Sequence, residues 1–101
     1  PDGYTLMVSS SSYLTNAAIR DVRYDPIRDF QPITKLTTNP YIIVVTPSLP
    51  VKTVTDLINL AKAKPELVTY ASSGTGGILH MGGELLTALT GTKMTHVPYK
   101  G

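Results

Sequence analysis

The strongest indication of fold comes from residues 68–80, Val68-Thr69-Tyr70-Ala71-Ser72-Ser73-Gly74-Thr75-Gly76-Gly77-Ile78-Leu79-His80. The order predicts a short strand, then a loop of Ser, Thr and Gly, then the start of a helix. Such a loop presents backbone N–H groups at a helix N-terminus, where the helix dipole favours an anion. It contains no catalytic group. The stretch therefore predicts an anion-binding loop, with an ordinary glycine-rich turn as the alternative.

Strand and helix patterns alternate on both sides of this loop. Because a strand, helix, strand order implies right-handed crossovers, we predict a largely parallel α/β sheet with ligands beyond the carboxyl ends of its strands. The predicted strands are Tyr4–Val8, Ile33–Thr37, Tyr41–Val45, Val68–Tyr70 and Met94–Val97, of which Tyr41–Val45 has the pattern of a strand buried on both faces. The predicted helices cover Tyr13–Ile19, the segment after Thr53, and Ile78–Thr90.

The two longer helices carry sequence signals at their ends. Thr53 is a predicted N-cap with Asp56 three residues later, and Pro65 ends that helix, which has an apolar stripe. Gly91 is a natural C-terminal cap for the last helix. The stripe of the first helix consists of Val54, Leu57, Ile58 and Ala61, and the expected core face of the second consists of Ile78, Leu85, Leu86 and Leu89.

Composition narrows the classes of function. The 101 residues carry a net charge of +2, and the basic side chains are scattered instead of forming the stripe typical of nucleic-acid binding. The chain has no cysteine, which excludes disulfides and thiolate chemistry. It begins at Pro1 and ends at Gly101 directly after a predicted strand. We therefore expect a fragment of a longer polypeptide that does not bind nucleic acid.

Three specific loop motifs fail at the residue level. The dinucleotide fingerprint requires a glycine where Leu79 stands, and the P-loop requires a lysine that the loop lacks. A nucleophilic serine elbow requires a glycine two residues before Ser72, where Tyr70 stands. What remains is a general anion-binding loop without a catalytic nucleophile.

Other polar clusters have a structural and a functional interpretation. His80 and Glu84 share a helix face. We predict a local hydrogen bond between them, and a metal site is the less favoured interpretation. His96 is predicted to be a packed, hydrogen-bonded histidine. The serines that follow the first predicted strand either line a cleft or form a solvated loop. Asp25, Arg28 and Asp29 are predicted to pair within a local turn.

Five motifs in register carry a resemblance to a known family. They are PDGYTL (1–6), YDP with RDF (24–30), the loop of residues 70–79 with His80, GEL (83–85) and HVPYKG (96–101). Together they resemble the tripartite tricarboxylate transporter substrate-binding receptors, the Bug family of extracytoplasmic solute receptors. The resemblance covers essentially the whole chain.

The resemblance implies a periplasmic binding protein type 2-like fold, in which two α/β lobes with mostly parallel strands enclose a solute. Residues 1–45 would be a segment of the first lobe and residues 46–101 a segment of the second, with the boundary at Thr46–Pro50. The implied protein is exported to the periplasm, needs no cofactor and catalyses nothing. Its implied partners are a small carboxylate and the membrane permease subunits of the transporter.

The resemblance also assigns candidate ligand residues on both lobes. The second lobe would supply backbone amides and hydroxyls, and His80 would brace them. The first lobe would place a serine run beside the cleft. The candidates are Ser72, Ser73, Gly74, Thr75, Gly76 and Gly77 on the second lobe, and Ser10, Ser11 and Ser12 on the first.

Several expectations remain open at this point. The family's N-terminal strand and Pro-Gly-Gly loop do not occur in this sequence, so we expect weak or absent solute binding by this segment alone. We also expect self-association through exposed sheet edges. A sensory input module with the same fold, and an enzyme on this architecture, are the alternative functions.

Overall fold

Three helices and two strands form the chain in a computed structural model, which describes residues 2–101. In chain order they are α1 (Ser12–Ile19), α2 (Val54–Ala63), β1 (Thr69–Ser72), α3 (Ile78–Thr90) and β2 (Thr95–Pro98). The structure places α2, α3, β1 and β2 within two residues of their predicted positions. No helix among residues 2–101 has the length and apolar character needed to cross a membrane.

The two strands form a parallel pair, as the sequence predicts. Tyr70 is the register partner of His96, and Ser72 is the register partner of Pro98. Helix α3 connects the two strands, so β1, α3 and β2 form one crossover unit. The loop of residues 72–77 consequently lies at the carboxyl end of β1 and at the N-terminus of α3.

The small apolar core lies beneath α2. Leu57 and Ala61 are buried against Val68, and Leu49, Leu60 and Met94 pack around them. The helix begins in a capping box: the Thr53 hydroxyl accepts from the Asp56 N–H (3.1 Å) while the Asp56 carboxylate accepts from the Thr53 N–H (3.0 Å). The predicted cap is confirmed. Val54, at the edge of the predicted stripe, is 51 % exposed.

Helix α3 packs on the sheet through a different face from the predicted one. Gly83 lies against the Tyr70 ring, where an added Cβ would be 2.3 Å from Cε2. Leu85 lies 200° around the helix from Gly83, so Leu85 and, further along, Leu89 point away from the sheet and are 59 % and 78 % exposed. Their assignment to the core face was wrong, because the small residue and not the leucines meets the tyrosine ring. The predicted C-terminal cap is confirmed, since Gly91 is left-handed with φ 63°.

Residues 12–30 fold into a second local unit around aromatic side chains. The Phe30 ring makes edge-on contacts with Tyr13 (5.6 Å between centroids) and Tyr24 (5.7 Å). The Tyr24 hydroxyl donates to the Tyr13 carbonyl oxygen (2.8 Å). The predicted charged turn follows Tyr24: the Asp25 carboxylate accepts from the Arg28 N–H, which together with the Ile27 N–H lowers the pKa of Asp25.

Three predicted strands are absent from the part of the chain that the structure describes. The segments Tyr4–Val8, Ile33–Thr37 and Tyr41–Val45 have no regular secondary structure, and their apolar side chains are exposed. A strand exists only when a neighbouring strand accepts and donates its backbone hydrogen bonds, and within residues 2–101 these segments meet no such neighbour. The sheet is therefore two-stranded, and the prediction that Tyr41–Val45 is buried on both faces was wrong.

Candidate functional site

The loop of residues 72–77, called here the Ser/Gly loop, owes its shape to two glycines. Gly74 has φ 136° and Gly76 has φ 86°, conformations that residues with a side chain rarely adopt. An added Cβ at Gly76 would also lie 2.7 Å from the Ile19 side chain and 2.8 Å from the Asn16 side chain. The glycines thus turn the chain sharply and let α1 approach the loop closely.

Ser72 stabilises the loop through buried hydrogen bonds. Its side chain is almost fully buried, and its Oγ forms a 2.6 Å hydrogen bond with His96 Nε2. The same Oγ accepts from the Gly74 N–H (3.2 Å). The Ser72 carbonyl accepts from the Tyr99 N–H (2.9 Å), which extends the β1–β2 pairing. Ser72 therefore fixes the first turn of the loop to β2.

A histidine fixes the other end of the Ser/Gly loop. The Gly76 N–H donates to His80 Nδ1 (3.1 Å), and His80 Nε2 lies 3.6 Å from Glu84 Oε1. The Tyr70 hydroxyl donates to the same Glu84 oxygen (2.6 Å), and burial together with this carboxylate raises the pKa of Tyr70. Across residues 2–101 no three His, Cys, Asp or Glu side chains are arranged to hold a metal. The observed partners of His80 and Glu84 are the Gly76 amide and the Tyr70 hydroxyl.

Several backbone N–H groups at the loop have no acceptor in residues 2–101. The amides of Ser73 and Thr75 belong to this set, as do those of Ile78 and Leu79 in the first turn of α3. The Gly74, Gly76 and Gly77 amides are instead bonded within the site. Ser73 and Thr75 are also exposed. Free N–H groups and the positive end of the α3 dipole together favour an anion here.

Helix α1 and its C-cap residue Arg20 donate hydrogen bonds to carbonyl oxygens of the loop. Thr15 Oγ1 lies 2.7 Å from the Gly76 carbonyl oxygen, and the Arg20 guanidinium donates to the Thr75 carbonyl oxygen (2.8 Å). These donors neutralise oxygen atoms that would otherwise repel an anion. The contact also joins the segment of residues 1–45 to the segment of residues 46–101 at the candidate site.

The serine run before α1 lies next to this contact and makes only local hydrogen bonds. Ser10 and Ser11 are exposed, and the Ser10 hydroxyl accepts from the Ser12 N–H (3.3 Å). The Ser12 carbonyl oxygen lies 3.2 Å from Thr15 Oγ1, the atom that reaches Gly76. Ser11 is the N-cap residue of α1 without a side-chain cap. Thr15, which bonds to the Ser/Gly loop, therefore follows the serine run by one helical turn.

The close Ser72–His96 pair raises the question of nucleophilic catalysis. A serine nucleophile needs an accessible hydroxyl and a histidine oriented by a third group. Ser72 is buried, its Oγ also lies within hydrogen-bond distance of both the N–H and the carbonyl of Gly74, and no carboxylate in residues 2–101 bonds to His96. The pair positions the loop, in agreement with the exclusion of a serine elbow from sequence.

Two contacts of the site were not anticipated from the sequence. Arg20 was counted only among scattered charges, and its reach to Thr75 follows from the docking of α1, which no local pattern encodes. The Ser72–His96 contact had a usable signal, because strand alternation puts Tyr70 and Ser72 on one face of β1. The parallel register then brings His96 to that face, as the 5.0 Å stacking of Tyr70 on His96 shows.

Fold and loop together define an α/β protein with a candidate anion site at the carboxyl end of a parallel strand. Comparison with known sequences gives the family. The family model described as the tripartite tricarboxylate transporter family receptor, TctC, matches residues 1–101, and this chain belongs to that family.

Curated relatives match along the whole chain. A UPF0065 protein from the TAR-I ttuE-ttuC' intergenic region of Agrobacterium vitis is 39% identical over 100% of this chain. A UPF0065 protein from the gbd 5' region of Cupriavidus necator is 35% identical over 100% of the chain, and Protein BugT of Bordetella pertussis is 32% identical over 99%. The chain spans 30%, 31% and 32% of the length of these three relatives.

Proposed function

We propose that the polypeptide containing these residues is a periplasmic solute-binding receptor that captures a small carboxylate for a tripartite tricarboxylate-type transporter. Family membership supports the receptor role and the membrane permease subunits as partners. The resemblance set out above supports export to the periplasm. The receptor binds and releases its solute without chemical change.

The observation that carries the carboxylate assignment is the set of free N–H groups on the Ser/Gly loop. The amides of Ser73, Thr75 and Ile78 surround the N-terminus of α3, and no acceptor among residues 2–101 uses them. A carboxylate has two oxygens with several lone pairs and can accept from such neighbouring donors. In this proposal the amides of Ser73, Thr75 and Ile78 meet the solute. Ser72, Gly74, Gly76 and Gly77 hold the loop in shape, the last through its N–H bond to the Gly74 carbonyl oxygen (3.4 Å).

We further propose that the chain contains pieces of two α/β lobes of a type 2-like periplasmic binding protein. Residues 1–45 belong to the first lobe and residues 46–101 to the second. The aromatic unit around Phe30 and the core beneath α2 are separate clusters, which supports this division. The α1 contact with Gly76 and Thr75 then lies between the lobes, with Ser10, Ser11 and Ser12 at its edge.

Calorimetry on the full-length polypeptide that contains these residues tests the proposal. Acetate, succinate and citrate are titrated as mono-, di- and tricarboxylates, with succinamide as a neutral control of the same shape as succinate. We expect binding of at least one carboxylate and none of succinamide. Equal binding of succinate and succinamide, or binding of none of the carboxylates, contradicts the carboxylate assignment.

A further inference from the structure

The two histidines of the chain form a stacked pair beside the Ser/Gly loop. The His80 and His96 rings have centroids 3.9 Å apart and are inclined by 15°. His96 bonds to Ser72 at the start of the loop, and His80 bonds to Gly76 near its end. The His80 side chain is only 14% exposed. The two imidazoles therefore hold both ends of the loop from one side.

The bond between Gly76 and His80 requires one protonation state of the ring. A backbone N–H can only donate, so His80 Nδ1 must accept and carry no proton. The neutral ring then carries its proton on Nε2, which faces Glu84 Oε1 at 3.6 Å. When the ring gains a second proton, both nitrogens become donors and Nδ1–H meets the Gly76 N–H. The charged ring cannot keep the hydrogen bond that holds the loop.

The groups around His80 define two alternative arrangements. Glu84 on α3 attracts a charged His80, while His96 on β2, stacked against it, disfavours a second cation at this point. Tyr70 on β1 bonds to Glu84 and stays neutral, because its pKa is raised. From α1, Arg20 brings a positive charge to the Thr75 carbonyl. A charged His80 therefore gains an ion pair with Glu84 and loses the hydrogen bond from the Gly76 N–H.

We propose that His80 is a positioning residue that holds the Ser/Gly loop in its binding conformation only while its ring is neutral, so that acidification releases the solute. This inference rests on the proposed function of the loop. A histidine side chain changes its charge between about pH 5 and 8. The solute is bound tightly while the His80 ring is neutral and weakly when the ring is charged.

Nuclear magnetic resonance of the full-length polypeptide tests the role of His80 without any solute. The ¹⁵N shifts of the His80 ring and the Gly76 amide are followed from pH 8 to pH 5. We expect an unprotonated Nδ1 at pH 8, and a Gly76 shift with the same midpoint as the ring. A protonated Nδ1 at pH 8, or a Gly76 amide that does not move while the ring titrates, overturns the proposal.

Two matched variants separate His80 from its neighbour. His80→Asn places an amide oxygen where Nδ1 lies and accepts from Gly76 at every pH. His96→Gln keeps a hydrogen-bonding group at the Nε2 position beside Ser72 but cannot become charged. We expect the Gly76 transition to vanish in His80→Asn and to persist in His96→Gln. A Gly76 transition that persists in His80→Asn and vanishes in His96→Gln overturns the proposal.

Succinate binding at pH 8 and pH 5.5, measured by calorimetry, gives the functional readout. Succinate itself gains protons in this range, so the wild-type protein is compared with His80→Asn at each pH. We expect wild-type affinity to fall about tenfold more than that of the variant, the equivalent of one lost hydrogen bond. Equal falls contradict the proposal. If succinate does not bind at pH 8, the proposed solute is at fault, and the Gly76 titration still decides the role of His80.

Discussion

Ser72 connects three parts of the candidate site through its hydroxyl and its carbonyl oxygen. Its Oγ bonds to His96 and to the Gly74 amide, and its carbonyl accepts from Tyr99. Because the residue is buried, water cannot replace these partners when the hydroxyl is removed. Ser73, the next residue, is exposed and has no side-chain hydrogen bond within residues 2–101. The two serines are adjacent and equivalent in the sequence, but Ser72 stabilises the loop and Ser73 faces solvent.

Substitution of the two serines measures this difference. Ser72→Ala leaves the His96 nitrogen and the Gly74 amide without their partner, so we expect the free energy of unfolding to fall by about 1–3 kcal/mol. Ser73→Ala is the control, with an expected change within about 0.5 kcal/mol. Urea denaturation of both variants checks the prediction. Equal losses in the two variants would show that the Ser72 hydroxyl is not a structural centre of the loop.

The adjacent glycines Gly82 and Gly83 provide a second residue-level pair. An added Cβ at Gly83 would lie 2.3 Å from the Tyr70 ring, whereas Gly82 has no atom within 4 Å. We expect Gly83→Ala to lower the free energy of unfolding by about 1–3 kcal/mol through overpacking. Gly82→Ala should raise it by about 0.5–1 kcal/mol, because alanine loses less entropy in a helix. Urea denaturation again provides the measurement, and shifts of the same sign in both variants contradict the packing of α3 on Tyr70.

Among the helices and strands, α2 is the one that its own residues specify most completely. Its start is fixed by the capping box of Thr53 and Asp56, and its buried face by Leu57 and Ala61. The Lys52 and Thr53 N–H groups bond to the Asp56 carboxylate and lower its pKa. A lowered pKa in the folded state means that the ionised form stabilises the fold.

Removal of the cap therefore has a predictable size and pH dependence. We expect Thr53→Ala to lower the free energy of unfolding by about 1 kcal/mol at pH 7. Thr55→Ala, exposed on the same helix, is the control. The contribution of Asp56 is fully present above the ordinary aspartate pKa of about 3.9 and is lost as the pH falls through its lower folded value. Urea denaturation from pH 7 to pH 3 checks this, and an Asp56→Asn variant that loses as much stability on acidification as the wild type contradicts it.

The sequence predicted those elements whose signals and partners are both local. Helices α2 and α3 have caps at their ends, and β1 and β2 are joined by α3, so the crossover unit follows from nearby residues. The apolar run Tyr41–Val45 has strong β propensity but depends on a partner strand, which residues 2–101 do not provide. The face of α3 was misassigned because hydrophobic periodicity does not reveal that Gly83 meets a tyrosine ring.

The candidate site likewise has features that a single segment predicts and contacts that depend on distant residues. A glycine-rich loop at a strand end and a helix start is visible in a single segment, and so is the tendency of such a loop to bind anions. The contacts from α1 to Gly76 and Thr75 join residues more than fifty positions apart. Such contacts depend on how the two segments dock and leave no periodic trace in the sequence.

The chain as a whole is extended and exposes apolar surface. Its radius of gyration is 17.0 Å, whereas a compact domain of about 100 residues has about 13 Å. Residues 41–45 are 43–80% exposed, and both outer edges of the two-stranded sheet are open. Exposed β-branched runs and open edges are sites of intermolecular strand pairing.

We expect the 101-residue chain alone to self-associate. Analytical ultracentrifugation at tens of micromolar should show species heavier than the 10.9 kDa monomer. Ile43→Lys places a charge in the middle of the exposed run and should shift the distribution toward the monomer. Val68→Thr, a polar change in the core, is the control for general destabilisation. A monomeric wild-type chain at these concentrations contradicts the prediction.

We propose that the free amides of the Ser/Gly loop bind a carboxylate. The most direct measurement is amide ¹H–¹⁵N chemical-shift mapping of the full-length polypeptide, titrated with the tightest-binding of acetate, succinate and citrate. We predict that the amides of Ser73, Thr75 and Ile78 move downfield in proportion to occupancy, while those of α2 stay in place. Saturable binding that leaves these three amides unmoved would contradict the account.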